Sequence, residues 1–194
     1  RGLLERLDGM YVFAVYDETA KQILIARDRV GVKPIYFTKR AGLFAFASEI
    51  KALLAHPNVP ATVADVALYH YLTYLTTPAP LTLFDGIYKL PAGHFMMIEA
   101  NGNFAAERYW GAVPGQSLDA HTVAGKSTAD QDQFYQQAVM DQLESSVEKR
   151  MMSDAPYGAF LSGGIDSSVN VALMDRFTDD PINTFTVGFK DHQH

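Results

Sequence analysis

Over residues 1–110 the apolar positions come in short runs, several alternating with polar ones, and turn-forming residues separate the runs. That is the pattern of antiparallel strands interspersed with helices. Met10 to Tyr16 and Gln22 to Arg27 flank Asp17-Glu18-Thr19-Ala20-Lys21 and predict a hairpin, and Ile35 to Thr38 with Leu43 to Ala47 predict another around Lys39-Arg40-Ala41-Gly42. His94 to Ile98 and Asn103 to Tyr109 predict a third, because Asn101-Gly102 favours the backbone of a tight hairpin turn. Ser48 is placed to cap a helix over 49–55 that ends before Pro57, and Thr62-Val63-Ala64-Asp65 to open another running through Tyr74. Arg1 to Leu7 reads as a helix entered midway.

From Pro114 to Gln133 large apolar residues are scarce, and Gly115, Ser117, Gly125, Ser127 and Thr128 predict an exposed linker or insertion. Tyr135, Val139, Leu143, Val147 and Met151 then recur at helical spacing, a stripe expected to pack on the sheet of a second domain. Tyr157-Gly158-Ala159-Phe160-Leu161 predicts a short buried strand, and Val169, Ala172, Leu173 and Phe177 the helix after it. Asp179-Asp180-Pro181 turns the chain into Ile182 to Phe189, whose β-branched and aromatic content predicts a second strand, parallel to the first through a right-handed crossover.

With 48 % hydrophobic and 20 % charged residues over 194 positions, a packed core is readily built, and the length suggests one domain plus part of another. A formal charge of −6 argues against a nucleic-acid surface. No apolar run approaches the roughly 18 residues needed to span a bilayer, and no apolar leader opens the chain. A soluble protein without nucleic-acid or membrane partners is expected.

The densest chemistry lies in Ser162-Gly163-Gly164-Ile165-Asp166-Ser167-Ser168, between the predicted strand and helix. Glycines let a polyphosphate approach the backbone, a helix N-terminus offers free N–H groups and a positive dipole end, and Ser162, Ser167 and Ser168 add hydroxyl donors. The Walker pattern is absent, since no lysine follows the glycines. The stretch resembles instead the Ser-Gly-Gly-x-Asp-Ser loop of the ATP pyrophosphatases, which adenylate a substrate and release pyrophosphate.

Further motifs extend the resemblance: Leu7-Asp8-Gly9-Met10-Tyr11-Val12-Phe13-Ala14-Val15-Tyr16-Asp17, Ala26-Arg27-Asp28-Arg29-Val30-Gly31-Val32-Lys33-Pro34-Ile35-Tyr36 and Ala47-Ser48-Glu49-Ile50-Lys51-Ala52-Leu53. Thr82 to His94, Arg108-Tyr109-Trp110 and Ser153-Asp154-Ala155-Pro156-Tyr157-Gly158 continue it. Over nearly its whole length, about 112–133 excepted, the chain is similar to the glutamine-hydrolysing asparagine synthetase family. The resemblance implies an α+β class II amidotransferase domain of antiparallel sheets with helices (1–111), a linker or insertion (112–133), and the start of an α/β pyrophosphate-loop domain, adenine nucleotide alpha-hydrolase-like (134–194).

The same resemblance implies a cytoplasmic ligase with aspartate, glutamine and ATP as substrates and a β-aspartyl-AMP intermediate. A homodimer through the amidotransferase domain is the assembly it allows. ATP would be held by Phe160, Leu161, Ser162, Gly163, Gly164, Asp166, Ser167, Ser168 and Val187, with Mg²⁺ on Asp166 and phosphate oxygens. The family's glutaminase nucleophile is an N-terminal cysteine. Position 1 here is Arg and the chain has no cysteine, which makes it read as an internal fragment, inactive alone. A related amide- or lactam-forming ligase on another carboxylate, and a non-catalytic remnant, are the alternatives.

Other features have plainer readings. Arg27-Asp28-Arg29 is either a charged surface turn or a support for the glutaminase pocket through an Arg–carboxylate contact, and Ser48-Glu49 either a cap or an interdomain contact. His70, among Tyr69, Tyr71 and Tyr74, reads as packed or exposed, and Met96-Met97 and Met151-Met152 as core filling. Asp191, His192 and His194 imitate a metal cluster but read as disordered.

Overall fold

The structure, a computed structural model, describes residues 2–40, 42–113 and 123–188. The chain divides into two compact units, Arg1–Val113 and Pro114–His194. No helix among the described residues is long and apolar enough to cross a membrane.

Unit 1 holds α1 (Gly2–Arg6), β1 (Val12–Asp17), β2 (Gln22–Arg27), β3 (Tyr36–Arg40), β4 (Leu43–Ala47), α2 (Ile50–Leu54), α3 (Asp65–Tyr74), β5 (Ile87–Lys89), β6 (His94–Glu99) and β7 (Phe104–Arg108). They form two antiparallel sheets, ordered β1-β2-β6-β7 and β4-β3-β5. All three predicted hairpins are present, with Ile25 paired to Ala14 on one side and to Met96 on the other.

Alternation along the strands explains the layers, since successive side chains take opposite faces. Ile23 and Ile25 of β2, Met96 and Ile98 of β6, Phe37 of β3 and Phe44 and Phe46 of β4 meet between the sheets. Leu24, Ala26, Phe95 and Met97 form the other face of the first sheet and pack with Leu4 of α1. Leu43, Ala45 and Ala47 do the same for the second sheet against Ile50, Leu53 and Leu54 of α2. Strands buried on both faces read as nearly unbroken apolar runs, which is why β2 and β6 are so hydrophobic.

Arg27, Asp28 and Arg29 settle as a backbone clamp. Arg27 donates from Nε to Lys33 O (2.8 Å), from Nη1 to Leu90 O (2.6 Å) and from Nη2 to Gly31 O (2.6 Å). The fully buried Asp28 carboxylate accepts from the Val32 and Lys33 amides, each at 2.9 Å, and Arg29 donates to Glu5 O at 3.1 Å. The guanidinium of Arg27 therefore spends its donors on carbonyls, and among the described residues Arg27 makes no hydrogen bond to a carboxylate. Burial alone would raise the Asp28 carboxyl, but the amides of Lys33, Val32 and Gly31 and the adjacent Arg27 together hold it below the ordinary carboxylate range. The Tyr109 hydroxyl donates to Arg27 O (2.8 Å) and meets Tyr11 Oη at 2.8 Å; burial and that partner push its phenol up.

Two caps differ from expectation. The N-cap of α2 is Glu49, extended at φ −131° and without a side-chain cap bond, while Ser48 stays exposed and Glu49 instead pairs with Lys51 at 2.7 Å. Ala64 caps α3, because Thr62 to Ala64 are drawn into an extended bridge: Val63 pairs with Phe84, Ala64 N donates to Leu83 O and Asp85 N to Thr62 O. His70 is half-buried, its ring near those of Tyr69 and Tyr74. Met96 and Met97 fill core, whereas Met152 is 89 % exposed because it caps the end of a helix.

Unit 2 holds α4 (Thr128–Met151), β8 (Gly158–Phe160), α5 (Ile165–Asp175) and β9 (Asn183–Phe185), with β8 and β9 parallel. Residues 128–133 of the stretch read as linker are already helical, started by Ser127, whose Oγ accepts from Asp130 N. The remainder of that linker reading lies partly, and Asp191, His192 and His194 wholly, outside the described residues. Helix α4 lies chiefly against α5 rather than on the sheet, with an Arg176–Glu144 ion pair, and the stripe residues Tyr135, Val139 and Leu143 stay exposed. A two-stranded sheet gives a 24-residue helix too little to cover. Nor is β8 buried: Phe160 is 81 % exposed while Ala159, on the opposite face, is half-buried. The second strand stops at Phe185, short of Val187 and Gly188, and Phe189 lies outside the described residues.

Asp28→Asn should destabilise unit 1 by about 1–3 kcal/mol, since one buried amide then faces a donor. Because the folded-state carboxyl lies below its ordinary value, its stabilisation is present above about pH 4 and is lost as pH falls through the folded pKa. Urea melts between pH 2 and 7 should show a smaller acid-induced loss in the variant; parallel curves for the two proteins would contradict the clamp.

Candidate functional site

The strand–loop–helix geometry begins with the register of β8 on β9: Gly158 opposite Asn183, Ala159 opposite Thr184, Phe160 opposite Phe185. Beyond the last pair, Leu161 N donates to Phe185 O (2.9 Å) and Thr186 Oγ1 to Leu161 O (2.7 Å), so both strands end at one level. Ligands of parallel sheets bind outside the carboxyl ends of the strands, which is where Ser162-Gly163-Gly164 leads into α5. Gly164 is the N-cap of α5 and offers no side chain to the first turn, leaving its N–H groups to an external acceptor.

The hydroxyls cluster around this turn. Ser162 Oγ lies 3.1 Å from Ser167 Oγ, Ser162 N donates to Ser167 Oγ at 3.3 Å, and Gly164 N meets Ser162 Oγ at 3.4 Å. Ser167 and Ser168 both donate to Gly164 O, at 3.0 and 2.9 Å. Asp166 stands exposed in the first turn. The structure thus brings together Phe160, Leu161, Ser162, Gly163, Gly164, Asp166, Ser167 and Ser168, and Val187 follows directly on Thr186 with its side chain 78 % exposed.

The two glycines differ. Gly163 has φ +83°, a conformation costly for any residue with a Cβ, and the space a Cβ would enter is open. Gly164 has φ −77°, and a Cβ there would make only ordinary contact with Ser162 Oγ at 3.5 Å. An open, glycine-lined, amide-rich turn carrying hydroxyls fits an anionic polyphosphate. A divalent cation also fits, with Asp166 supplying one hard oxygen and phosphate the others; no cluster of three or more His, Cys, Asp or Glu occurs among the described residues.

Four contributing residues escaped the sequence reading. A Cβ at Gly158 would lie 2.6 Å from Asn183 O and 2.8 Å from the Phe185 ring, so this glycine permits the strand pairing. A glycine inside a predicted strand is the signal for such close approach. Thr186 ties off the sheet end, and Ile165 (82 % exposed) with Phe185 leaves an apolar margin beside the polar loop. Neither role has a sequence signal without the register.

Residues 1–110 match the family described as glutamine amidotransferase domain, and residues 138–194 match asparagine synthase. The chain is 32 % identical over 196 aligned residues to "Asparagine synthetase [glutamine-hydrolyzing] 3" of Bacillus subtilis, covering 97 % of this chain and 30 % of that protein. It is 38 % identical over 192 residues to "Putative asparagine synthetase [glutamine-hydrolyzing]" of Mycobacterium bovis, covering 97 % of this chain and 28 % of the relative. Similarity to "Amidase chry2" of Gibberella zeae is 30 % over 174 residues, 89 % of this chain and 24 % of that one. The chain therefore spans under a third of the length of these relatives.

Gly158→Ala should unpair β8 from β9, because the obstructing atom is backbone, whereas Gly164→Ala should leave unit 2 unchanged. Hydrogen exchange at the Leu161 amide reads the difference. Equal protection in both variants would remove Gly158 from the account of the site.

Proposed function

We propose that this chain, which belongs to the glutamine amidotransferase family, is a section of a glutamine-hydrolysing asparagine synthetase that makes asparagine from aspartate, ammonia released from glutamine, and ATP. The observation that carries the reading is the hydroxyl-ringed turn Ser162–Ser168 at the carboxyl end of the β8–β9 pair, opening α5. Residues 1–111 would belong to the amidotransferase domain and 134–194 to the ATP-binding domain, with 112–133 joining them.

In this reading ATP lies with its base along the backbone of Phe160, Leu161 and Val187 and its β- and γ-phosphates against Ser162, Gly163, Gly164, Ser167 and Ser168. The amides of the α5 first turn oppose the charge that builds on the departing pyrophosphate. A bound Mg²⁺, held by Asp166 and phosphate oxygens, would neutralise further phosphate charge. The aspartate side-chain carboxylate attacks the α-phosphorus and the bond to the β-phosphate oxygen breaks. The resulting mixed anhydride has AMP as its leaving group, where free carboxylate would have to expel oxide, so ammonia can displace it to give the amide.

A second reading keeps the same adenylation but gives it another acceptor carboxylate, including closure of a lactam. The loop chemistry is common to both, and the acceptor pocket separates them.

Gly164→Ala tests phosphate approach without backbone strain. It and Asp166→Asn should each weaken binding of magnesium pyrophosphate to the chain at least about tenfold in titration calorimetry, and should abolish aspartate-dependent ATP–pyrophosphate exchange in a synthetase carrying these residues. Undiminished exchange in both variants would reduce the loop to an ordinary strand-to-helix turn. The 194-residue polypeptide contains no cysteine, so it should release no glutamate from glutamine above a buffer blank.

A further inference from the structure

Unit 1 carries a cavity that the proposed function does not use. At one end of the two-sheet sandwich the tips of three hairpins surround an opening of about 460 Å³, floored by Ile23, Phe44, Phe46 and Ile98. These four belong to or pack on the core between the sheets, so the opening continues that core to the surface. The volume falls within the roughly 300–1,000 Å³ typical of small-molecule pockets.

The rim is cationic. Lys21 comes from the β1–β2 turn, and Lys39 and Arg40 from the end of β3. Among the described residues the only carboxylate lining the cavity is Glu99, which accepts from Asn101 Nδ2 at 3.1 Å. Lys39 Nζ sits 5.5 Å from the Phe104 ring centroid and pairs with no carboxylate among the described residues; Arg40 donates to Asp85 O at 2.8 Å and lies 3.9 Å from the Asp85 carboxylate, while its Nε has no acceptor among the described residues. With Arg40 paired to Asp85, Lys21 and Lys39 against Glu99 still leave a net positive mouth over an apolar floor. Cations on flexible stems at such a mouth attract an anion while their methylenes line its path.

We propose that this cavity binds a small amphipathic carboxylate, its apolar body between the two sheets and its head group among Lys21, Lys39 and Arg40. Charge complementarity sets the sign of the head, and the continuity with the inter-sheet core sets the character of the tail. A polar anion such as free phosphate would leave the floor unused, and a neutral amphiphile would leave Lys21 and Lys39 without an anionic partner.

The test is titration calorimetry of the 194-residue chain with decanoate, kept below its micelle concentration, against decyltrimethylammonium, which has the same tail and the opposite head. Decanoate should bind one site, and amide shifts in NMR spectra should centre on Phe44, Phe46 and Ile98. Lys21→Glu/Lys39→Glu, a change of two exposed side chains, should weaken decanoate at least about tenfold while the circular dichroism spectrum is kept. Multiple non-saturating binding, equal binding of the two amphiphiles, or an unchanged affinity in the folded variant would each overturn the proposal. If the variant does not fold, the comparison of the two amphiphiles on the native sequence decides.

Discussion

The candidate site depends on the parallel pairing of β8 with β9. Two adjacent parallel strands cannot be joined by a tight turn, so the chain must cross over, and here α5 makes the crossing. That requirement puts a helix N-terminus immediately after β8 and leaves only Leu161 to Gly164 to reach it. The absence of a Cβ at Gly158 lets Asn183 come close enough to pair, and the left-handed backbone at Gly163 turns the chain into the helix. Ser162 then meets Ser167, and Ser167 and Ser168 both reach Gly164 O, because the turn is so short. The place and openness of this turn follow from topology first and from side chains second.

Unit 1 meets a different constraint. Its two central strands, β2 and β6, are covered on both faces, so their side chains are almost all apolar and the polar work passes to the connections. The chain leaving β2 is where that work concentrates. Arg27 and Asp28 are paired in sequence but act mainly on backbone, one supplying donors and the other acceptors to the segment that ends at Lys33. Burying ions in this way is tolerated because each charge is spread over several hydrogen bonds. The open end of the same sandwich, by contrast, leaves Lys21 and Lys39 facing solvent.

Strand positions in unit 1 were legible because period-two alternation and turn chemistry are local: Gln22 to Arg27 and Leu43 to Ala47 are strands with the expected bounds. The loop at 162–168 was legible for the same reason, its residues being contiguous. What was not legible depended on partners distant in sequence. Ser48 and Thr62 carry good capping side chains, but pairing of Thr62 and Val63 with Asp85 and Phe84 fixed where α3 starts, and an extended Glu49 fixed where α2 does. Phe160 looks like core by composition, yet with a single strand beside it the face it occupies is open. The α4 stripe was correct as a helix and misjudged as to what it packs on.

The central claim is that this loop supports attack on the α-phosphorus of ATP. The direct measurement uses aspartate labelled with ¹⁸O in its side-chain carboxylate, turned over by a synthetase carrying residues 158–188 of this sequence, with mass analysis of the nucleotide and inorganic products. The account predicts that one labelled oxygen appears in AMP, because the carboxylate oxygen that attacks phosphorus stays with it when ammonia takes the acyl group. Label in inorganic phosphate, with ADP as the nucleotide product, would place the attack at the γ-phosphorus and contradict the account.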